Sequence, residues 1–183
     1  MLAVAQVLEK RELMDLTEMK LTWSREGVGS IGIQSVVWIH GASTPSNEVV
    51  DKVYDSRPAG HQDSVVGRIE ILGPGSWADH DGEIYREPQL IWCHCSPTDF
   101  GVFGSLQIRH DIWGWYDFFG EPHPDVYHRN APRLASAIKG VEEVLDVELE
   151  EGEGTFFATP EKYGVAYYEP NANGKGFDVT ARL

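Results

Sequence analysis

The chain has 183 residues and a mass of 20.5 kDa, with 15 Lys and Arg against 29 Asp and Glu, which gives a formal net charge of −14. A hydrophobic fraction of 42% and an aromatic fraction of 11% supply enough apolar side chains for a core, which excludes global disorder. The negative charge argues against a protein whose main task is to bind nucleic-acid phosphates. This length is typical of one compact domain, so we expect a single α+β domain over residues 1–183.

The amino-terminal segment and the two cysteines bear on the compartment. Gln6 and Glu9 interrupt the apolar run that a secretory signal needs, and no window approaches the roughly 18 apolar residues that cross a bilayer. Cys93 and Cys95 on one strand would lie about 6.5–7 Å apart, at or beyond the usual limit for a disulfide. We therefore expect free thiols, a cytoplasmic location and no membrane partner.

The first part of the chain predicts one helix followed by strands. Residues 2–18 mix apolar and charged side chains without Gly or Pro, which predicts an amphipathic helix. The alternation in 19–23 and the β-branched run in 31–40 predict strands, of which the second suits the centre of a sheet. Two further strands are predicted over 49–54 and 64–72, the latter with one solvated face.

The middle of the chain predicts a long turn and then a hairpin. Three glycines and three acids make 73–83 a turn region by composition. The apolar segment 90–95 predicts a strand, 96–101 turns the chain, and 102–108 follows as its antiparallel partner.

The last part of the chain predicts one helix and several short strands. Asn130 is the expected N-cap and Pro132 stands in the expected first turn of a helix over 131–145. Strand-like segments follow at 154–160, 163–170 and 177–183, with a turn at 171–176. Strands joined by short turns favour an α+β class, a mostly antiparallel sheet with an N-terminal helix and a helix near 131–146 packed on it.

One glycine-rich segment, GVGSIG at 27–32, has the letters of a dinucleotide-binding motif. That motif needs a helix whose first amides face the pyrophosphate, but the residues that follow are β-branched and predict a strand. We interpret the segment as a glycine-rich hairpin and expect no cofactor.

The histidines offer the only hint of catalysis. On a strand His94 would point away from both neighbouring cysteines, so those three residues do not suit one metal ion. Four of the seven histidines, His61, His80, His110 and His123, stand one or two residues from an acid. The alternative interpretation is a metal-assisted or His/Asp-based enzyme with a site in 77–83 and 110–128, built from His80, Asp81, His110 and His123. No catalytic motif supports it, so an enzyme is the less favoured interpretation.

The sharpest feature of the sequence is an acidic run between Val141 and Glu153 that holds seven acids and no base: Glu142, Glu143, Asp146, Glu148, Glu150, Glu151 and Glu153. One interpretation is a solvated face that keeps the protein dissolved. The other is a patch that meets a basic partner, because acidic surfaces speed association with basic proteins.

The aromatic segment that includes Trp113 and Trp115 also has two interpretations, as part of the core or as the rim of a binding surface. With the acidic run, exposed aromatics there would complete a partner-binding surface. In its general features, small, acidic, aromatic-rich and without a catalytic signature, the chain resembles the immunity proteins of bacterial toxin systems. That resemblance implies a cytoplasmic binding protein, of immunity-protein or antitoxin type, that neutralises a basic protein or toxin enzyme.

Overall fold

The structure is a computed structural model that describes residues 1–182. In chain order the elements are α1 (Leu2–Lys10), β1 (Glu18–Arg25), β2 (Gly29–Trp38), α2 (Ser46–Asp55), β3 (Val65–Leu72), β4 (Gly75–Ala78), β5 (Ile84–Glu87), β6 (Ile91–Thr98), β7 (Gly101–Ile108), a 3₁₀ helix (Asp111–Trp113), α3 (Pro124–Leu145), β8 (Ala158–Glu161), β9 (Gly164–Tyr167) and a second 3₁₀ helix (Thr180–Arg182). The α+β class and the N-terminal helix are confirmed. No helix within residues 1–182 is both long and apolar enough to cross a membrane.

The described chain divides into two compact units. The first unit comprises Met1–Gly75 and Pro88–Arg109, and the second comprises Ser76–Glu87 and the chain from His110 onward. The expectation of one domain over residues 1–183 stays a prediction.

The first unit is built on a five-stranded antiparallel sheet with the strand order β2-β1-β3-β6-β7. Alternation along β1 buries Met19, Leu21 and Trp23 on one face, as a period of two requires. Met19 pairs with Val37 on one side and with Ile71 on the other, and all three are buried. One face of the sheet is therefore the core of this unit.

A chain of hydrogen bonds fastens the end of α2 to the buried face. The indole Nε1 of Trp23 donates to the hydroxyl of Ser35 (2.9 Å), which donates to the carbonyl of Ser56 (2.6 Å). The guanidinium of Arg57 lies over the Trp23 ring, 5.9 Å from its centroid. A buried indole thus has its polar atom satisfied, as burial demands.

Two predictions in this unit are wrong in their type or extent. The amino-terminal helix ends at Lys10 and does not continue to residue 18, because the Glu9 carboxylate turns the chain by accepting the backbone N–H of Leu16 and of Ala42. The predicted strand 49–54 lies in α2, where an ion pair joins Lys52 to Glu48 one turn earlier (2.9 Å). A short apolar run does not distinguish a strand from the buried side of a helix.

The strand over 31–40 is confirmed as β2, but it lies at an edge of the sheet and is not central. The GVGSIG segment forms the β1–β2 hairpin turn and the start of β2, as expected. Gly27 (φ 70°) and Gly29 (φ 86°) adopt backbone conformations that side-chain-bearing residues rarely take. The strands predicted over 19–23, 64–72 and 90–95, and the antiparallel partner over 102–108, are confirmed by β1, β3, β6 and β7.

The two cysteines of β6 are free, as predicted. Cys93 is buried, and burial raises the pKa of its thiol to about 12. Burial also raises the pKa of Cys95. Both therefore remain thiols at neutral pH and do not suit metal binding or nucleophilic chemistry.

In the second unit, α3 begins seven residues before the expected helix start, with Pro124 in its first turn. Asn130 is not an N-cap. It is fully buried, and its side-chain amide donates to the Ala78 carbonyl (2.7 Å) while its Oδ1 accepts the Ala78 N–H (3.0 Å). Pro132 consequently lies inside the helix, where the carbonyl four residues earlier lacks its usual donor. The Asn130 side chain thus binds both backbone groups of Ala78, as a neighbouring strand would, and this fixes β4 to α3.

Three turns of the second unit, at 79–83, 117–121 and 171–175, share one design. The first residue is Asp or Asn, and its Oδ1 accepts the backbone N–H groups two and four residues later at 2.8–3.2 Å. The fourth residue is a glycine with positive φ: Gly82, Gly120 and Gly174. These residue types are the ones that such turns require.

The carboxy-terminal predictions are met in part. The segments 154–160 and 163–170 contain the short hairpin strands β8 and β9, which pair antiparallel. The predicted strand over 177–183 is wrong for its described part, which ends in a 3₁₀ helix, and Leu183 lies outside the described residues. The predicted turn region 73–83 contains β4.

Two of the turns dock on each other through glycines. The N–H of Gly176 donates to the Gly120 carbonyl (2.8 Å), and Glu121 pairs with Lys175. A Cβ added at Gly176 would lie 2.7 Å from Cγ of Tyr116, a buried ring. The two segments can approach this closely because Gly176 has no side chain.

Gly176→Ala is expected to destabilise the protein by about 1–3 kcal/mol, because the new methyl group must displace a packed ring. Gly164→Ala is the matched control, since a Cβ there meets nothing within 4 Å and its φ is not positive. Urea denaturation of both variants checks the prediction. Equal midpoints for the two variants would contradict the close packing at Gly176.

Candidate partner-binding site

The acidic run begins in the last turn of α3 and continues in the segment that follows. Six of its seven acids are exposed, and Glu142 is half-buried. The Oε1 of Glu142 accepts the backbone N–H of Leu149 at 2.9 Å, which bends the chain back toward the helix end. The run is therefore folded around the end of α3.

Four of the acids line a shallow depression that is wide open to solvent, which we call the acidic basin. Its walls are formed by Glu142, Glu143, Asp146, Val147, Glu148 and Lys162. Glu150, Glu151 and Glu153 do not line it and lie farther along the chain. The sequence-predicted set is thus divided into four residues that share one surface depression and three that do not.

The four carboxylates make the acidic basin negative, and the end of α3 adds to that charge. The carboxyl end of a helix carries a partial negative charge, and the last turn of α3 contains no basic residue that would offset it. The terminal Asp146 adopts a left-handed conformation (φ 53°), which ends the helix at the edge of the basin. Cationic groups are favoured at such a place.

One cation already lies at the wall of the basin. The ammonium of Lys162 is 2.5 Å from Oε1 of Glu148. This hydrogen bond and charge pair lower the pKa of Glu148 and raise the pKa of Lys162, so both stay charged at neutral pH. Sequence reasoning missed Lys162; the only available signal was its place in the turn between two predicted strands.

The two tryptophans of the predicted surface have different positions. Trp113 is buried with 1% of its surface exposed, so it offers nothing to a partner, and that part of the prediction is corrected. Trp113 and its neighbour Ile112 are the two buried apolar residues of the first 3₁₀ helix, so the Trp113 ring belongs to the core. Trp115 is half-buried in an aromatic cluster with Tyr127, His128 and Tyr167, at centroid distances of 5.5–6.2 Å.

The four residues of the alternative metal site, His80, Asp81, His110 and His123, do not form one cluster. His80 lies 3.1 Å from Asp81 in an exposed turn, and Nε2 of His123 donates to the Gly114 carbonyl at 2.9 Å. Nδ1 of His110 lies 2.9 Å from Oδ1 of Asp111. Within residues 1–182, no three His, Cys, Asp or Glu side chains are grouped so that they could hold a metal ion.

His110 and Asp111 form a close pair in that region that makes further contacts. Oδ2 of Asp111 accepts the Phe118 N–H at 3.0 Å, and the Trp77 ring lies 5.3 Å from the His110 ring. Burial acts to raise the pKa of Asp111, but the hydrogen bonds from His110 and Phe118 and the nearby histidines together lower it. Sequence reasoning did not select Asp111, although its adjacency to His110 was visible.

Comparison with protein-family models, with curated proteins and with solved structures finds no match to this chain.

Asp111→Asn is expected to destabilise the protein at pH 7 by about 1 kcal/mol, because a charged acceptor of two hydrogen bonds is lost. Because its pKa is lowered, the Asp111 carboxylate stabilises the fold at pH values above 3.8, which is its ordinary pKa. This contribution is lost as the pH falls through the lower pKa of the folded state. The difference in unfolding free energy between wild type and variant should therefore shrink below pH 4. Urea titrations at several pH values check this, with the exposed Asp51→Asn as control; a difference that does not depend on pH would contradict it.

Proposed function

We propose that this protein is a small acidic binding protein that neutralises a partner enzyme with a basic surface, as immunity proteins and antitoxins do. The observation that carries the proposal is the acidic basin, where four carboxylates share one solvent-open surface at the negative end of α3. A basic side chain of a partner would find there several carboxylates and the helix dipole together.

The distribution of charge between the two units supports this proposal. The first unit contains eight Lys and Arg and eleven Asp and Glu, whereas the second contains seven and eighteen. The surplus of acidic residues is thus concentrated in the second unit, which carries the acidic basin. A concentrated field steers an oppositely charged partner more effectively than the same charge spread evenly.

The lining of the basin suits Lys or Arg side chains in particular. Val147 is an exposed apolar side chain among the carboxylates, and it can pack against the aliphatic stem of a basic residue whose head meets Glu143 or Asp146. Lys162 is held by Glu148, which leaves those two carboxylates for the partner. Enzymes that act on polyanions have basic clefts, and such a cleft would be blocked by this surface.

Trp115 remains the aromatic member of the proposed surface. Half-buried tryptophans that are fixed by neighbouring rings are frequent anchors in protein interfaces. The free thiols of Cys93 and Cys95 support the cytoplasm as the proposed compartment, since cysteines stay reduced there.

A second candidate, a His/Asp-based enzyme, is favoured by one observation, the bond between His110 and Asp111. A carboxylate within hydrogen-bond distance of an imidazole nitrogen is a frequent arrangement for a general base. The two proposals make opposite predictions for the purified protein, which is inert under the first and turns over a substrate under the second.

The test begins with capture of a basic protein from the native host at low salt, followed by an activity assay of the captured enzyme. Wild type should inhibit that enzyme stoichiometrically. The double variant Glu143→Lys/Asp146→Lys should weaken inhibition at least about thirtyfold, because removing well-placed interfacial charges costs about 2 kcal/mol or more.

The control is Glu26→Lys/Asp51→Lys, which changes the net charge equally at exposed sites of the first unit. It should inhibit as well as wild type. Three results would overturn the proposal: a captured protein with no inhibited activity, inhibition that the basin variant retains, or turnover by the pure protein that His110→Gln abolishes.

A further inference from the structure

The four asparagines of the chain have different surroundings, and one of them, Asn173, is followed by glycine. Asn47 and Asn130 lie in α2 and α3, and Asn130 is also fully buried. Asn171 is exposed but is followed by alanine, and its Oδ1 accepts two backbone N–H groups of the 171–175 turn. Asn173 therefore differs from the other three both in the residue that follows it and in the freedom of its side chain.

The side chain of Asn173 is exposed in the 171–175 turn. Among the residues that the structure describes, its side-chain amide has no hydrogen-bond partner; only its backbone N–H is held, by Oδ1 of Asn171. A Cβ added at the following Gly174 would meet nothing within 4 Å. Because glycine has no side chain of its own, the Gly174 nitrogen is not shielded from a neighbouring group. An amide carbon and a backbone nitrogen thus follow each other in an open part of the surface.

One hydrogen bond restrains this nitrogen in the folded turn. The N–H of Gly174 donates to the carbonyl of Asn171 at 2.9 Å. All residues from 171 to 175 are exposed, so the turn opens without removing apolar side chains from a core. The fold therefore slows the approach of the Gly174 nitrogen to the Asn173 side chain but does not prevent it.

We infer that Asn173 is a site of spontaneous modification, at which its side-chain amide is lost and the chain is converted to an aspartyl or isoaspartyl form. The Gly174 nitrogen attacks Cγ of Asn173, the new N–Cγ bond forms and the Cγ–Nδ2 bond breaks. The proton of the Gly174 amide passes through solvent to the leaving nitrogen, which departs as ammonia. The product is a five-membered cyclic imide.

Water then opens this imide at either of its two carbonyl carbons. Attack at Cγ gives aspartate at position 173 with an unchanged backbone. Attack at the backbone carbonyl carbon gives the isoaspartyl form, in which the chain runs through Cβ and Cγ and the α-carboxylate becomes the side chain. No oxidant, metal or second protein is needed, and the inference is independent of the proposed function.

The two related turns of the second unit do not share this chemistry. At the position that corresponds to Asn173, the 79–83 turn has Asp81 and the 117–121 turn has Phe119. Asp81 also precedes a glycine, but near neutral pH a carboxylate expels water much less readily than an amide expels ammonia. Modification is therefore expected to be selective for the 171–175 turn.

The isoaspartyl form would disturb the attachment of the carboxy-terminal segment. Oδ1 of Asn171 accepts the N–H groups of residues 173 and 175, on either side of the altered linkage, and an extra main-chain carbon between them is incompatible with both bonds. Directly beyond this turn, Gly176 and Val179 donate their N–H groups to the carbonyls of Gly120 and Phe118 at 2.8 and 2.9 Å. These two bonds follow the altered linkage closely, so we expect them to open more often.

Mass spectrometry of the full chain tests the site. After incubation of the folded protein at 37 °C and neutral pH, the tryptic peptide 163–175 should gain one dalton at position 173 and none at Asn171. The gain should become faster with rising pH, because the attacking nitrogen must lose its proton. Asn173→Gln, which cannot form a five-membered imide, is the matched control and should keep its mass. Asn171→Ala removes two bonds of the turn and should speed up the gain severalfold.

Hydrogen exchange tests the consequence for the fold. The purified isoaspartyl form should exchange the N–H groups of Gly176 and Val179 severalfold faster than wild type, whereas Asn173→Asp, which has the same charge and an unchanged backbone, should not. Three results would overturn the inference: a folded protein that stays unmodified while the chain unfolded in guanidinium chloride is converted, a gain in peptide 163–175 that persists in Asn173→Gln, or equal exchange in the isoaspartyl and aspartyl forms.

Discussion

Repulsion among the carboxylates at the end of α3 is the constraint around which the candidate site is organised. Negative side chains are disfavoured at the carboxyl end of a helix, and no basic residue in its last turn offsets them. Lys162 is a single cation among the four carboxylates that line the acidic basin, and it pairs directly with Glu148. A cluster that opposes the stability of its own helix is a typical property of a surface that binds a partner of opposite charge.

The rest of the second unit holds that cluster in place. The hydrogen bond from Leu149 to Glu142 folds the acidic segment back, and the β8–β9 hairpin brings Lys162 to the wall of the basin. Farther along α3, Asn130 fixes β4, and the aromatic cluster around Trp115 packs against the helix start. A binding surface on a long helix that is anchored at several points loses little conformational freedom when a partner binds.

The sequence predicted those features that depend on local pattern. Period-two alternation predicts β1 and β3, an apolar segment and the turn after it predict β6 and β7, and glycine chemistry predicts the hairpin at GVGSIG. Prediction from the sequence failed where a tertiary contact determines the structure or the role of a residue. The sequence predicts an N-cap at Asn130, but its side-chain amide bonds a distant strand, and it predicts a strand over 49–54, but this segment lies in α2, where only Val49 is buried. The acidic run is visible in the sequence, but the sequence does not show that Glu142 accepts the N–H of Leu149 or which of the acids line the basin.

The measurement that tests the central claim most directly is the association rate constant between this protein and the captured enzyme as a function of salt. Electrostatic docking at the acidic basin predicts a rate that falls steeply with ionic strength for wild type, and a slow, nearly salt-independent rate for Glu143→Lys/Asp146→Lys. An association rate that is the same for both proteins at every salt concentration would contradict the account.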